Sequence, residues 1–152
     1  MAFGPGGEHL FVVNELDNSV VALRRESRGF ATIARASTPP RDSATSPDGG
    51  AAAAVRVSPS GRLVLVSNRG PEGGSLAVLR FDAGDDSLEL TNVQETGGYT
   101  PRDIVITDGG RFVAVANQDS DNVVVFRLEE ETGLLTEVSV VMVPTPACLL
   151  VP

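Results

Sequence analysis

Gly110-Arg111-Phe112-Val113-Ala114-Val115-Ala116-Asn117 opens on a turn residue, runs apolar and closes on asparagine. A polar turn (residues 118–122) and a second apolar run, Val123-Val124-Val125-Phe126, follow it. The phrase occurs twice more upstream. Gly61-Arg62-Leu63-Val64-Leu65-Val66-Ser67-Asn68 leads through residues 69–75 to Leu76-Ala77-Val78-Leu79. Gly6-Gly7-Glu8-His9-Leu10-Phe11-Val12-Val13-Asn14 leads through residues 15–19 to Val20-Val21-Ala22-Leu23. The landmark asparagines Asn14, Asn68 and Asn117 lie 54 and 49 residues apart. A period this long, filled with short Val-rich runs and no helical periodicity, predicts an all-β fold: a β-propeller of four-stranded antiparallel blades.

Each unit expands into four strands. The second reads as strands at about 53–57, 63–67, 75–81 and 87–93, with Ser58-Pro59-Ser60-Gly61 as the first tight turn. The third reads as 103–106, 111–116, 122–128 and 134–140, its last turn being the acidic, solvated Glu129-Glu130-Glu131-Thr132-Gly133. Residues 1–152 thus form a single partial propeller domain with blade units at about 1–50, 51–97 and 98–141. The first unit has only Met1-Ala2-Phe3 ahead of its turn, and residues 146–151 read as an innermost, latch-like strand without a following blade. Closed rings have about four to eight blades. The expectation is a truncated chain, the alternative a native half-propeller that assembles into a ring. Open blade edges would self-associate.

Composition narrows the partners. A net charge of -8 argues against nucleic acid or an anionic membrane surface. It leaves room for an anionic substrate held by local arginines, which supply all twelve basic residues. No stretch approaches the roughly 20 apolar residues of a membrane helix. The N-terminus Met1-Ala2-Phe3-Gly4-Pro5 lacks a basic n-region. The single cysteine, Cys148, among Ala147, Leu149 and Leu150, reads as a buried, inert thiol in a reducing compartment. The expected location is the cytoplasm.

Several phrases together resemble the C-terminal part of the seven-bladed lactonase family, which includes propeller-type 6-phosphogluconolactonases and fungal carboxymuconate cyclases. They are Val13-Asn14-Glu15-Leu16-Asp17, Val57-Ser58-Pro59-Ser60-Gly61-Arg62, Val66-Ser67-Asn68-Arg69-Gly70, Thr100-Pro101-Arg102-Asp103 and Ala116-Asn117-Gln118-Asp119-Ser120-Asp121-Asn122. The resemblance implies a pocket at one mouth of the central channel that hydrolyses a small sugar lactone, in carbohydrate metabolism along the pentose phosphate pathway, without metal or other cofactor. It implies a Glu, arginines and a His as site residues, and carries over to Glu15, Arg69 and Arg102. Where many relatives have His before Val-Ser-Pro, this chain has Arg56.

Blade geometry converges on the same rim. Second-to-third-strand turns open on one face together with the links into the next blade. Glu15, Arg69, Gln118 and Asp119 fall in such turns, and Arg102 at the entry to an innermost strand. Glu15 reads as general base, Arg69 and Arg102 as catalytic anion or oxyanion binders, and Gln118, Asp119 and Arg56 as substrate-binding residues. For Arg56, alternating with Val55 and Val57, a structural pairing is the competing assignment. Asn14, Asn68 and Asn117, recurring in every unit, read as turn-holding amides. His9, set against Arg62 and Arg111, reads as solvent-facing. Residues 38–50 read as a surface loop and candidate lid. A non-catalytic binding or interaction module is the alternative function, because fold alone does not fix activity.

Overall fold

The computed structural model describes residues 1–38, 50–107 and 109–151. Three four-stranded antiparallel sheets follow one another along the chain, and no α-helix occurs among the described residues. The first blade is β1 (Ala2–Phe3), β2 (His9–Asn14), β3 (Ser19–Glu26) and β4 (Gly29–Ser37). The second is β5 (Ala51–Val57), β6 (Leu63–Arg69), β7 (Ser75–Asp82) and β8 (Ser87–Glu95). The third is β9 (Pro101–Ile106), β10 (Phe112–Asn117), β11 (Asn122–Leu128) and β12 (Leu135–Met142). In each, strands pair in sequence order, so every connection within a blade is a hairpin. The short Met1-Ala2-Phe3 stretch does supply an inner strand, pairing Ala2 with Phe11 and Phe3 with Leu10. The first strands of successive blades adjoin, β1 beside β5 and β5 beside β9. The candidate lid falls at residues 38–50, of which 39–49 lie outside the described residues.

Strand alternation decides how the blades stack, because successive side chains leave opposite faces of a sheet. Val64, Val66, Ala77, Leu79 and Phe81 leave the second blade on one face and pack with Phe11, Val20 and Ala22 of the first. Leu63, Leu65, Leu76 and Val78 leave the other face and pack with Val113, Val115, Val124 and Phe126 of the third. Between the first two blades Phe11 and Phe81 meet edge-on, ring centroids 5.0 Å apart. The second blade is therefore buried on both faces, while β12 is exposed along nearly its whole length.

Each landmark asparagine pairs with the first residue of the third strand: Asn14 with Ser19, Asn68 with Ser75, Asn117 with Asn122. Their bonds differ from the expected turn-backbone pattern. Asn117 Nδ2 donates to the Thr96 carbonyl (2.9 Å) and to Asn122 Oδ1 (2.9 Å). Asn14 Nδ2 donates to Ser19 Oγ (3.0 Å), and Asn68 Oδ1 accepts from Thr38 Oγ1 (2.7 Å). Among the described residues only the Asn117 amide reaches a backbone carbonyl, and Asn68 and Asn117 tie the blade to the chain leaving its neighbour.

Counting back from these asparagines corrects His9. It stands where Leu63 and Phe112 stand, opposite Arg24 as they are opposite Arg80 and Arg127, and Glu8 takes the place of Arg62 and Arg111. His9 is accordingly half-buried, its ring 4.9 Å from that of Phe81. The acidic turn 129–133 is likewise more than solvated. Ser58 Oγ donates to Glu130 Oε1 (3.0 Å) and Arg62 Nη2 to Glu131 Oε1 (2.9 Å), bridging the second and third blades.

Residues 146–151 form no strand. Leu149 N donates to Asp103 Oδ2 (2.9 Å), and just ahead of the segment Val143 N donates to Asp121 O (2.9 Å) and Thr145 N to Asp121 Oδ1 (2.7 Å). Cys148, expected buried, is exposed. Its apolar neighbours signalled burial, but no sheet covers this segment among the described residues.

At Gly74 the second blade comes close to the link into the third. The Gly74 amide donates to the Gly98 carbonyl (2.8 Å) and its carbonyl accepts from Thr96 N (2.9 Å). A Cβ there would stand 2.5 Å from both Pro101 Cδ and Thr96 Oγ1. Gly74→Ala is expected to destabilise the fold by about 1–3 kcal/mol, read as a lower urea midpoint at unchanged slope.

Candidate functional site

The turn after each second strand and the link into the next blade meet at one mouth. Ala52 N donates to the Glu15 carbonyl (3.3 Å), and Asn18 Nδ2 to the Gly50 carbonyl (2.8 Å). One blade further on, Gln118 N donates to the Thr100 carbonyl (3.0 Å) and Tyr99 N to Ser120 Oγ (2.7 Å). These bonds lock the rim so that side chains from distant parts of the sequence share it.

Glu15 and Arg69 are brought together, from different blades. Arg69 Nη1 lies 3.4 Å from Glu15 Oε1. The carboxylate side chain is 59% exposed and the guanidinium 32%. Arg69 ends β6, where the strand holds its stem, and its Nε is buried without a hydrogen-bond partner among the described residues. At 3.4 Å the pair is loose, so each partner keeps hydrogen-bonding capacity for a ligand.

Gln118 and Asp119 lie in the short 3-10 turn Gln118–Ser120, which opens the equivalent turn of the third blade. Gln118 Oε1 is buried and unpartnered among the described residues, and Asp119 Oδ2 accepts from Thr100 Oγ1 (2.5 Å). Arg102 is exposed on β9, and strand alternation sets it on the opposite face from buried Asp103. The structure records no contact from Arg102, Gln118 or Asp119 to the Glu15–Arg69 pair.

Arg56 is committed elsewhere. Its Nη2 donates to Asp103 Oδ1 (2.7 Å) and its Nη1 to the Val55 carbonyl (2.9 Å). Asp103, 8% exposed, also accepts from Ile104 N and Leu149 N, both at 2.9 Å. Asp103 is the residue that sequence reasoning missed. Its signal was an acid inside an otherwise apolar inner strand, Ile104-Val105-Ile106. It joins two innermost strands to the terminal segment.

Among the described residues no three His, Cys, Asp or Glu side chains stand together as metal ligands. No helix is long and apolar enough to cross a membrane. Two surface grooves open at the opposite mouth, between first-to-second and third-to-fourth turns. One, of about 510 Å³, is lined by His9, Arg62, Arg80 and Phe81; the other, of about 660 Å³, by Arg111, Arg127 and Glu130. Neither includes a predicted site residue.

The family model described as lactonase, 7-bladed beta-propeller, matches residues 1–151. The chain belongs to this family. It is 34% identical over 152 residues to the 6-phosphogluconolactonase of Bacillus subtilis (strain 168), covering 98% of this chain and 42% of that protein. It is 33% identical over 135 residues to the 6-phosphogluconolactonase of Formosa agariphila, covering 88% and 36%. Among solved structures it is similar to the periplasmic gluconolactonase PpgL of Pseudomonas aeruginosa. That match has a TM-score of 0.85 at 28% identity, over 96% of this chain and 40% of that one. The chain spans about two fifths of the length of the 6-phosphogluconolactonase of Bacillus subtilis.

Proposed function

We propose that this chain carries part of the site of a lactonase that opens a sugar lactone of the 6-phosphogluconolactone type without a metal ion. The observation that carries the proposal is the loose Glu15–Arg69 pair, 3.4 Å apart at a mouth shared by two blades. Water attacks the ester carbonyl carbon while Glu15 accepts its proton. The carbonyl π electrons move to oxygen, where the Arg69 guanidinium offsets the developing charge. Collapse of the tetrahedral species breaks the ring C–O bond, and the leaving alkoxide takes up a proton. Arg102, exposed on the adjacent inner strand, holds the substrate's anionic group with geometry that Lys could not match. Gln118, with its unpartnered oxygen, accepts from a sugar hydroxyl. The relatives named above as 6-phosphogluconolactonases and gluconolactonase support this substrate class. The proposed compartment is the cytoplasm, although the Pseudomonas relative is described as periplasmic.

One observation favours a second function, a binding module without turnover: Arg56, where the family resemblance implies a His, is held by Asp103 and offers no proton-transferring ring. The two separate in one assay. Folded chain is mixed with 6-phosphogluconolactone, and hydrolysis is followed by acid release after chelator treatment. Release above the spontaneous rate is expected. A folded chain that binds the lactone and leaves its rate unchanged is the binding module.

A further inference from the structure

The link from β8 into β9 (residues 96–100) is pinned at every residue. Thr96 N donates to the Gly74 carbonyl (2.9 Å). The carbonyls of Thr96, Gly97 and Gly98 accept from Asn117 Nδ2 (2.9 Å), Asn122 Nδ2 (3.2 Å) and Gly74 N (2.8 Å). Tyr99 N donates to Ser120 Oγ (2.7 Å), and the Thr100 carbonyl accepts from Gln118 N (3.0 Å). On this rigid support Tyr99 is half exposed. It belongs to neither apolar cluster and meets no other aromatic ring among the described residues.

The repeat does not ask for a ring here. Pro101 pairs with Asn117 as Ala52 pairs with Asn68, so Gly50 stands at the position of Tyr99 in the preceding link. Thr145-Pro146 repeats Thr100-Pro101, which puts Pro144 at that position in the following segment. A position that takes Gly, Tyr and Pro has no common packing role. What surrounds Tyr99 is the rim of the candidate site. Its bond to Ser120 sets it against the turn that carries Gln118, whose Oε1 is unpartnered among the described residues. Exposed Arg102 follows it on β9. An aromatic ring on a fixed backbone gives up little freedom when a ligand lies on it.

Resting on the lactonase function proposed above, we propose that Tyr99 is a substrate-binding residue that selects the closed sugar ring over the opened acid. The ester atoms of a lactone are coplanar, so its ring is flattened and presents polarised C–H groups across one face. The electron-rich face of the phenol ring attracts such groups. Ring opening removes that face. The resulting acid rotates about each bond of its chain and would have to give up that freedom to lie flat on Tyr99. Hydrolysis itself therefore loosens the product from this side of the mouth.

Tyr99 is the only tyrosine and the chain has no tryptophan, so tyrosine emission reports this residue alone. The chain is titrated with glucose 6-phosphate, a closed sugar ring with no ester to hydrolyse, and with 6-phosphogluconate, the open chain bearing the same phosphate. Binding heat is recorded alongside emission. Bound glucose 6-phosphate is expected to change the emission, and bound 6-phosphogluconate to leave it unchanged. Tyr99→Ala is expected to weaken glucose 6-phosphate by about ten-fold and 6-phosphogluconate by less than about two-fold, while Tyr99→Phe keeps both affinities. Since Gly50 and Pro144 fill the same position elsewhere, Tyr99→Ala is expected to hold the urea midpoint. An emission unmoved by bound glucose 6-phosphate overturns the proposal, as does a Tyr99→Ala that weakens both sugars equally or neither. Binding heats that Arg69→Ala abolishes would in that case leave the lactonase function standing. Absence of binding heat with either sugar overturns that function and this proposal together.

Discussion

Arg69→Ala is expected to lower kcat/KM for 6-phosphogluconolactone by about 100-fold or more, a loss of the size seen when one oxyanion donor is removed. Two features make Arg69 the most sensitive position at the mouth. Its stem is fixed by the end of β6, and its Nε is buried with no partner among the described residues, so its donors are aimed before substrate arrives. Arg69→Lys keeps the charge but loses the planar fork, and is expected to recover only a minor part of the activity. Glu15→Gln keeps the shape of its partner and removes the proton acceptor, so the loss is expected in kcat rather than in KM. Equal activity in wild type, Arg69→Ala and Glu15→Gln would remove this pair from the chemistry. Since the Glu15–Arg69 contact is loose and largely solvated, none of these changes is expected to move the thermal midpoint appreciably.

The largest loss of stability is expected from Phe126→Ala, about 3–5 kcal/mol. Phe126 is 1% exposed and packs with Leu63, Leu65 and Val78 of the neighbouring blade. With only six Phe, one Tyr and no Trp in the chain, few other side chains could fill the void. The surrounding β-branched residues are stiff at χ1 and collapse poorly into space left by a ring. Denaturant unfolding should show the midpoint falling at unchanged slope. A shift smaller than that of Leu135→Ala, at the rim of the same cluster, would show that the blade interface is not the seat of stability.

The blades were legible because the repeat appears three times, and each copy fixes the others. Strand periodicity, turn residues and the asparagine landmark all agree. The register of single residues is less legible where copies differ: the histidine's polarity suggests for His9 the exposed position of Arg62 and Arg111, which Glu8 in fact takes. Strand pairing corrects this. The Glu15–Arg69 pair joins residues 54 positions apart, and only the matching turns of successive blades hinted at it. Asp103 could not be found by pattern at all. Its partners Arg56 and Leu149 come from a different blade and from the terminal segment, and nothing in their local sequence announces either bond.

The uneven covering of the three sheets also governs how the molecule opens. Among the described residues the second blade alone has both faces buried, and sheets with few buried apolar contacts open before those with many. Strands β6 and β7 therefore set the ceiling of protection, while β12, exposed over nearly its whole length, opens first. The rim residues divide along the same gradient. Arg69 is anchored in the slowest-opening sheet and Gln118 in one that frays, so the mouth has a rigid side and a yielding side built from the same repeat.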